Sequence, residues 1–148
     1  MTELPSLPVT FRPSRTRAVL LTVGAAVFAV LTAVALTLPA TSTGERVSFV
    51  VTGLLFLGVL LLLSRPHVTA DEGGVTVVNL TARRRLEWAE VLRVNLRQGD
   101  PWVSLDLADG TSLPAMGIQP GIAKERAVAD ANALRALAER HGTGETVR

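Results

Sequence analysis

The stretch "RPHVTADEGGVTVVN", Arg65 to Asn79, is where the chain changes its architecture. Before it lie long runs without charge; after it, apolar and polar residues alternate. Pro66 cannot continue a helix arriving from the N-terminal side, and it biases its neighbour toward extended backbone. His67 to Ala70 then reads as a strand, Asp71 to Gly74 ("DEGG") as a turn, and Val75 to Leu80 as the partner strand. The reading of these fifteen residues divides the chain into an apolar first half and a small β-rich second half.

Working upstream, Val47 to Ser64 ("VSFVVTGLLFLGVLLLLS") and Ala18 to Leu38 ("AVLLTVGAAVFAVLTAVALTL") contain no charged residue over 18 and 21 positions. Each meets the length of about 18–20 apolar residues needed to cross a hydrocarbon core roughly 30 Å thick. Backbone polar groups find no water there, so each run is expected to be a helix with internal hydrogen bonds. The reading is a transmembrane hairpin over 18–64, with spans 18–38 and 47–64. The first run exceeds the 7–15 residues of a secretory h-region and is followed at once by a second, so it reads as a permanent span and not a cleaved leader. "LPATSTG" lacks glycine at the fifth position of a sortase signal and stands between two spans, so it is not read as one. Arg12, Arg15 and Arg17 precede the first span and Arg65 follows the second, whereas the eight-residue loop Pro39 to Arg46 holds only Arg46 beside Glu45. This asymmetry predicts a two-pass protein of the cell membrane with both termini cytoplasmic, residues 1–17 forming a cytoplasmic N-terminal tail. Ala25, Ala29 and Ala33 stand at a four-residue spacing on which the helices could approach closely, but in a chain so rich in alanine the spacing reads first as composition.

Working downstream, Leu86 to Trp88 begins another extended piece. Leu92, Val94 and Leu96 alternate with Arg93, Asn95 and Arg97, the period-2 pattern of a half-buried strand. "QGDP" (Gln98 to Pro101) is a turn, Val103, Leu105 and Leu107 alternate again, and Ala108-Asp109-Gly110 signals a hairpin into Thr111 to Leu113. Residues 122–140 are alanine-rich with good helix formers, and Ala127, Val128, Ala131, Leu134, Leu137 and Ala138 make one apolar stripe. The remainder, 142–148, reads as a disordered tail. A curved sheet of six or seven short strands leaves an open end, and one C-terminal helix can cover it.

Composition excludes several functions. The sequence pI near 10.4 suggests a nucleic-acid binder. However, residues 65–148 hold 11 Lys+Arg and 11 Asp+Glu, so this half has no net charge and no nucleic-acid partner is expected. The net +2 of the chain comes from the N-terminal tail. There is no cysteine, which removes disulfides and thiolate metal sites. A single lysine, Lys124, against 14 arginines in an Ala/Leu/Val-rich chain is a composition typical of a GC-rich bacterial genome.

The order of elements and the wording of the strands resemble bacterial PH-like membrane proteins of the actinobacterial low-molecular-weight antigen 6 type. The residues carrying the resemblance are "RPHVTADEGGVTVVN", "RRRLEWAEV" and "PWVSLDLADGTSLPAMGIQ", and it extends from Ala18 to about Arg140. It implies two spans ahead of a PH-like α+β domain over 65–141: a bent antiparallel sheet or partly open barrel of about seven strands, capped by one helix. It implies membrane placement and little about activity.

No catalytic constellation, cofactor site or metal site is expected. His67 and His141 are far apart in sequence, Asp106 and Asp109 bracket a hairpin, and "DEGG" has too few oxygen ligands for calcium. Trp88 and Trp102 read as packing residues at strand starts. Trp102 with Pro101 is also a candidate protein contact. Arg83, Arg84 and Arg85 are the lipid-headgroup candidates. Phosphoinositide-binding PH domains use basic residues in the loop between the first two strands; here that loop is the acidic "DEGG", which argues against carrying that ligand over. The strands flanking "DEGG" are nearly equal in length, so a turn over Thr81 to Arg85 should return toward the bilayer. There each arginine could contribute about 1 kcal/mol against anionic headgroups within a Debye length of about 8–10 Å, the other reading being a plain solvated turn. The leading expectation is a non-enzymatic docking or scaffolding module for an unidentified protein partner, of unassigned oligomeric state. The alternative is an anionic-lipid-responsive or envelope-stress module.

Overall fold

The structure is a computed structural model that describes residues 3–142. The chain divides into two units, a helical hairpin over residues 14–64 and a PH-like unit built from residues before 14 and after 64.

In the hairpin, α1 (Ser14–Thr37) and α2 (Thr43–Leu63) are antiparallel, and each covers all but the last residue of an expected span and starts four residues earlier. The "LPATSTG" segment has a structural role: it starts α2. Ser42 is the N-cap, its hydroxyl accepting the Glu45 amide at 3.3 Å while Glu45 accepts the Ser42 amide at 2.7 Å, a reciprocal capping box. The helices do not meet on the alanine stripe. Ala25, Ala29 and Ala33 are exposed, and the contact uses Gly24, Phe28, Leu31 and Ala35 against Gly53, Leu57 and Leu60. A Cβ on Gly24 would stand 3.0 Å from Leu57 Cδ1, and one on Gly53 3.1 Å from Phe28 Cδ2. Two glycines, one per helix, therefore set the approach. Most of the remaining surface is large and apolar: Val30, Leu36, Leu55 and Val59 are all more than half exposed. A patch of this extent marks a surface that meets lipid or another protein.

The PH-like unit has seven strands in two antiparallel sheets and one helix. The first sheet has the order β1-β2-β3-β4, from β1 (Val9–Phe11), β2 (His67–Asp71), β3 (Gly74–Val78) and β4 (Arg83–Glu87). The second has the order β5-β6-β7, from β5 (Val91–Asn95), β6 (Val103–Leu107) and β7 (Ser112–Ala115). A 3-10 turn, Trp88–Glu90, joins the two where the sequence suggested continuing strand. Neither sheet closes into a barrel.

The inward residues Val68, Ala70, Val75, Val77 and Leu86 of the first sheet meet Val94, Val103, Leu105 and Leu107 of the second. Helix α3 (Lys124–Gly142) packs Ala127, Ala131, Leu134, Leu137 and Ala138 into the same core. Val128, assigned to that stripe, is instead 41% exposed. At the helix end, the buried Trp88 ring stacks on His141 with centroids 5.1 Å apart, and its indole N–H donates to the Asp71 carbonyl at 2.9 Å. The tail expected from 142 onward starts, at Gly142, as the last residue of α3; residues 143–148 lie outside the described residues.

The N-terminal tail is the main correction. Residues 9–11 are a strand, paired antiparallel with β2 in the register Val9↔Ala70, Thr10↔Thr69, Phe11↔Val68. Phe11 is buried in the core, with Leu4 and Leu7 packed against it. The helical hairpin is thus inserted in sequence between the first two strands of one sheet. The four residues between Pro8 and Pro13 are too few for a period-2 pattern, and only the waiting edge of β2 makes three of them a strand.

The two sheets are stitched at the end where β2 begins. The Asn79 side chain donates to the Pro114 carbonyl at 2.8 Å and accepts the Met116 amide at 3.1 Å. Gly117 packs directly on the β2 backbone: a Cβ there would lie 2.5 Å from His67 Cα, so no larger residue fits.

Candidate functional site

The three arginines are strand residues and not a turn. The register Arg83↔Val78, Arg84↔Val77, Arg85↔Thr76 puts them on β4, while the turn is Asn79–Ala82, closed by the Asn79 amide donating to the Ala82 carbonyl at 2.8 Å. Side chains alternate along a strand, so Arg83 and Arg85 share the outer face and Arg84 lies on the side of Leu86. Each then has a different environment.

Arg85 is committed within the unit. Its guanidinium grips the Asp71 carboxylate with both terminal nitrogens, Nη2 donating to Oδ1 at 2.6 Å and Nη1 to Oδ2. Nη1 also donates to the Thr76 hydroxyl at 3.1 Å. Asp71 further accepts the amides of Gly73 at 2.9 Å and Gly74 at 3.1 Å. The Arg85 hydrogen bonds, followed by those amides, pull the Asp71 carboxyl from 3.8 down to about 2. The "DEGG" loop is acidic because its aspartate organises its own turn and anchors the neighbouring strand. Gly74 is required there, since a Cβ would lie 2.0 Å from the Leu86 carbonyl oxygen.

Arg84 reaches Asp109 in the β6–β7 hairpin at 3.6 Å, with side chains 44% and 53% exposed. Asp109 titrates below the ordinary range chiefly because the Thr111 hydroxyl and amide donate to it, with Arg84 adding to the effect. A pair this exposed is screened, but it links the first sheet to the second. Arg83 is exposed and has no ion pair or side-chain hydrogen bond among the described residues.

Pro101 is exposed and Trp102 half-buried, both on the connection between β5 and β6. They are not part of the groove that the fold builds elsewhere. That groove, about 360 Å³, runs between β5 and α3 and is lined by Trp88, Leu92, Val94, Arg135 and Ala138 among others. β5 pairs with β6 along one edge only. On its other side the Val94 carbonyl accepts from Arg135 Nη2 at 3.0 Å and Nε at 3.3 Å. A register shift between Val91 and Arg93 forms a bulge, which breaks the expected alternation. Val91 and Val94 point inward, while Leu92 is left 68% exposed at the groove rim. Sequence periodicity missed this feature because a bulge shifts the pattern by one residue without changing composition.

Chemically the groove offers an apolar rim, one exposed leucine and a strand edge guarded by a guanidinium. Among the described residues, no three His, Asp or Glu side chains are grouped so as to hold a metal ion.

Residues 65–137 match the family model described as Bacterial PH domain. The matched segment begins at Arg65, so β1 lies outside it. Uncharacterized proteins of Mycobacterium bovis and Mycobacterium tuberculosis are 36% identical to the chain over 99 residues, which is 67% of this chain and 64% of each relative. The chain thus matches a little under two thirds of the length of these curated relatives. No solved structure matches it.

The Asp71–Arg85 pair has a measurable acid signature. Its carboxyl is depressed in the folded state, so the pair contributes stability above about pH 4 and loses it as pH falls toward 2. In an Arg85→Ala variant, an NMR titration of the Asp71 carboxyl is expected to move its midpoint from about 2 back toward 3.8, and the acid dependence in that window flattens. An unmoved midpoint would show that the turn amides alone hold the carboxylate.

Proposed function

We propose that the chain is a two-pass membrane protein whose PH-like unit is a non-enzymatic docking module at the cytoplasmic face. The observation that carries the reading is a hairpin of exposed apolar helices inserted between two hydrogen-bonded strands. At 1.5 Å per residue, helices of 24 and 21 residues reach roughly 36 and 32 Å, enough for a hydrocarbon core of about 30 Å. Only Gly24, Ala35, Gly53 and Leu60 are buried in them, so the remaining apolar surface needs lipid around it. The β1–β2 pairing requires both ends of the hairpin to emerge on one side, consistent with an even number of crossings. Arg12, Arg15, Arg17 and Arg65 at those ends, against Arg46 offset by Glu45 in the loop, favour the cytoplasm for that side. The resemblance to membrane proteins of the antigen 6 type supports the same arrangement.

Docking is assigned to the β5–α3 groove and not to the Trp102 turn. The groove takes an extended peptide segment of a partner protein, with Leu92 as its exposed apolar anchor. No group of side chains described above forms an acid–base or nucleophile pair, and the buried polar contacts are used to hold turns and sheets together.

Two measurements test this. The chain lacks cysteine, so single cysteines report sidedness: Thr43→Cys, at the loop end of α2, is expected to react with a membrane-impermeant maleimide in intact cells, and Gln98→Cys only after lysis. Labelling of Gln98→Cys from outside would overturn the orientation. A photo-crosslinking residue at Leu92 is expected to give a discrete protein adduct in native membranes, whereas the same residue at Glu72 gives none. Equal patterns at both positions would remove the groove as the docking site.

A further inference from the structure

Both connections to the helices leave the same end of the four-stranded sheet. Phe11, the last residue of β1, pairs with Val68, next to the first residue of β2. Only Arg12 and Pro13 stand between β1 and α1, and only Ser64, Arg65 and Pro66 between α2 and β2. Extended chain covers at most about 3.6 Å per residue, so each connection spans about 14 Å or less. In the membrane reading, on which this inference rests, that end of the sheet is tethered at two points close to the headgroups.

The charges of the sheet are sorted along the same axis. At the tethered end, Arg12 and Arg65 flank the strand ends, and His67, Val78 and Arg83 form one cross-strand row with side chains on the outer face. Arg12, Arg65 and Arg83 are exposed and have no ion pair or side-chain hydrogen bond among the described residues. At the opposite end stand Asp71, Glu72 and Glu87, the last directly across from Gly74. Arg84 and Arg85 do not belong to the basic end, because Asp109 and Asp71 already hold them.

We propose that Arg12, Arg65 and Arg83 form a cationic cluster that binds the phosphates of anionic lipid headgroups and so fixes the PH-like unit on the membrane surface. The ligand is lipid and not soluble phosphate, because the two tethers hold the cluster near the bilayer, where the anionic surface potential acts within about 8–10 Å. The three guanidiniums come from three separate segments and enclose no pocket, so the cluster responds to headgroup charge and not to headgroup identity. It also lies at the end of the sheet opposite the "DEGG" loop.

The test uses the full chain in nanodiscs of phosphatidylcholine with or without phosphatidylglycerol. A fluorophore on Ala82→Cys, beside Arg83, or on Glu72→Cys, at the acidic end, is quenched by a lipid spin-labelled at its headgroup. With the label at 82, quenching is expected to rise about two-fold in anionic discs at low salt and to fall back as salt is added. The label at 72 should not respond. Arg83→Ala should remove most of the rise and Arg83→Lys should keep it. Equal quenching at 82 in both lipids, or a rise untouched by Arg83→Ala, would overturn the cluster. A rise abolished by inorganic phosphate at constant ionic strength would make the ligand soluble phosphate instead. A chain that fails to enter the discs at all would refute the membrane reading and the cluster with it, an outcome distinct from the others.

Discussion

The pairing of Val9–Phe11 with β2 constrains the whole chain. It joins residues on either side of the helical hairpin, so the sheet cannot be completed unless both flanks of the hairpin meet. The pairing buries Phe11, brings Leu4 and Leu7 onto the core and covers an edge of β2 that would otherwise be free to pair with another chain. The PH-like unit is therefore joined to the helical hairpin through two short connections, residues 12–13 and 64–66.

That constraint determines the roles of the charged residues. Three consecutive arginines have the same chemistry, yet the β3–β4 register sends them to three destinations. Arg85 reaches back along the outer face to the Asp71 turn, Arg84 crosses to Asp109 in the second sheet, and Arg83 remains open at the end where the helices attach. Net neutrality of residues 65–148 hides this arrangement, because within the first sheet Asp71, Glu72 and Glu87 stand at the far turn while Arg65 and Arg83 stand at the near end. A charge count alone describes neither end.

How much of this was legible in the sequence varies by element. The helices could be read because uninterrupted apolar runs need no tertiary context, and β2, β3 and β6 because alternation and turn residues agree. The β1 strand could not, since four residues between prolines carry no period and the strand's extended conformation comes from β2. The Leu92 bulge was hidden for a related reason: Leu92, Val94 and Leu96 look like one regular face, and only the pairing of Val91 with Leu107 and Arg93 with Asp106 reveals the extra residue. For the arginines, the sequence placed them near a turn but not their partners, which lie well away along the chain. Which face each helix turns to the other could not be read, because rotation about the axis is invisible in an apolar run; Gly24 and Gly53 set the contact.

The central claim, that the N-terminal segment and the PH-like unit form one sheet across the helical hairpin, can be tested by one crosslink. Thr10 and Thr69 are cross-strand partners with their hydroxyl oxygens 3.3 Å apart, in a chain with no cysteine of its own. A Thr10→Cys/Thr69→Cys variant, oxidised in native membranes, is expected to close an intramolecular disulfide that shifts its mobility on a non-reducing gel and protects both thiols from maleimide. Two freely alkylated thiols with no shift would contradict the account, because the segment before the first helix would then be a tail and not a strand.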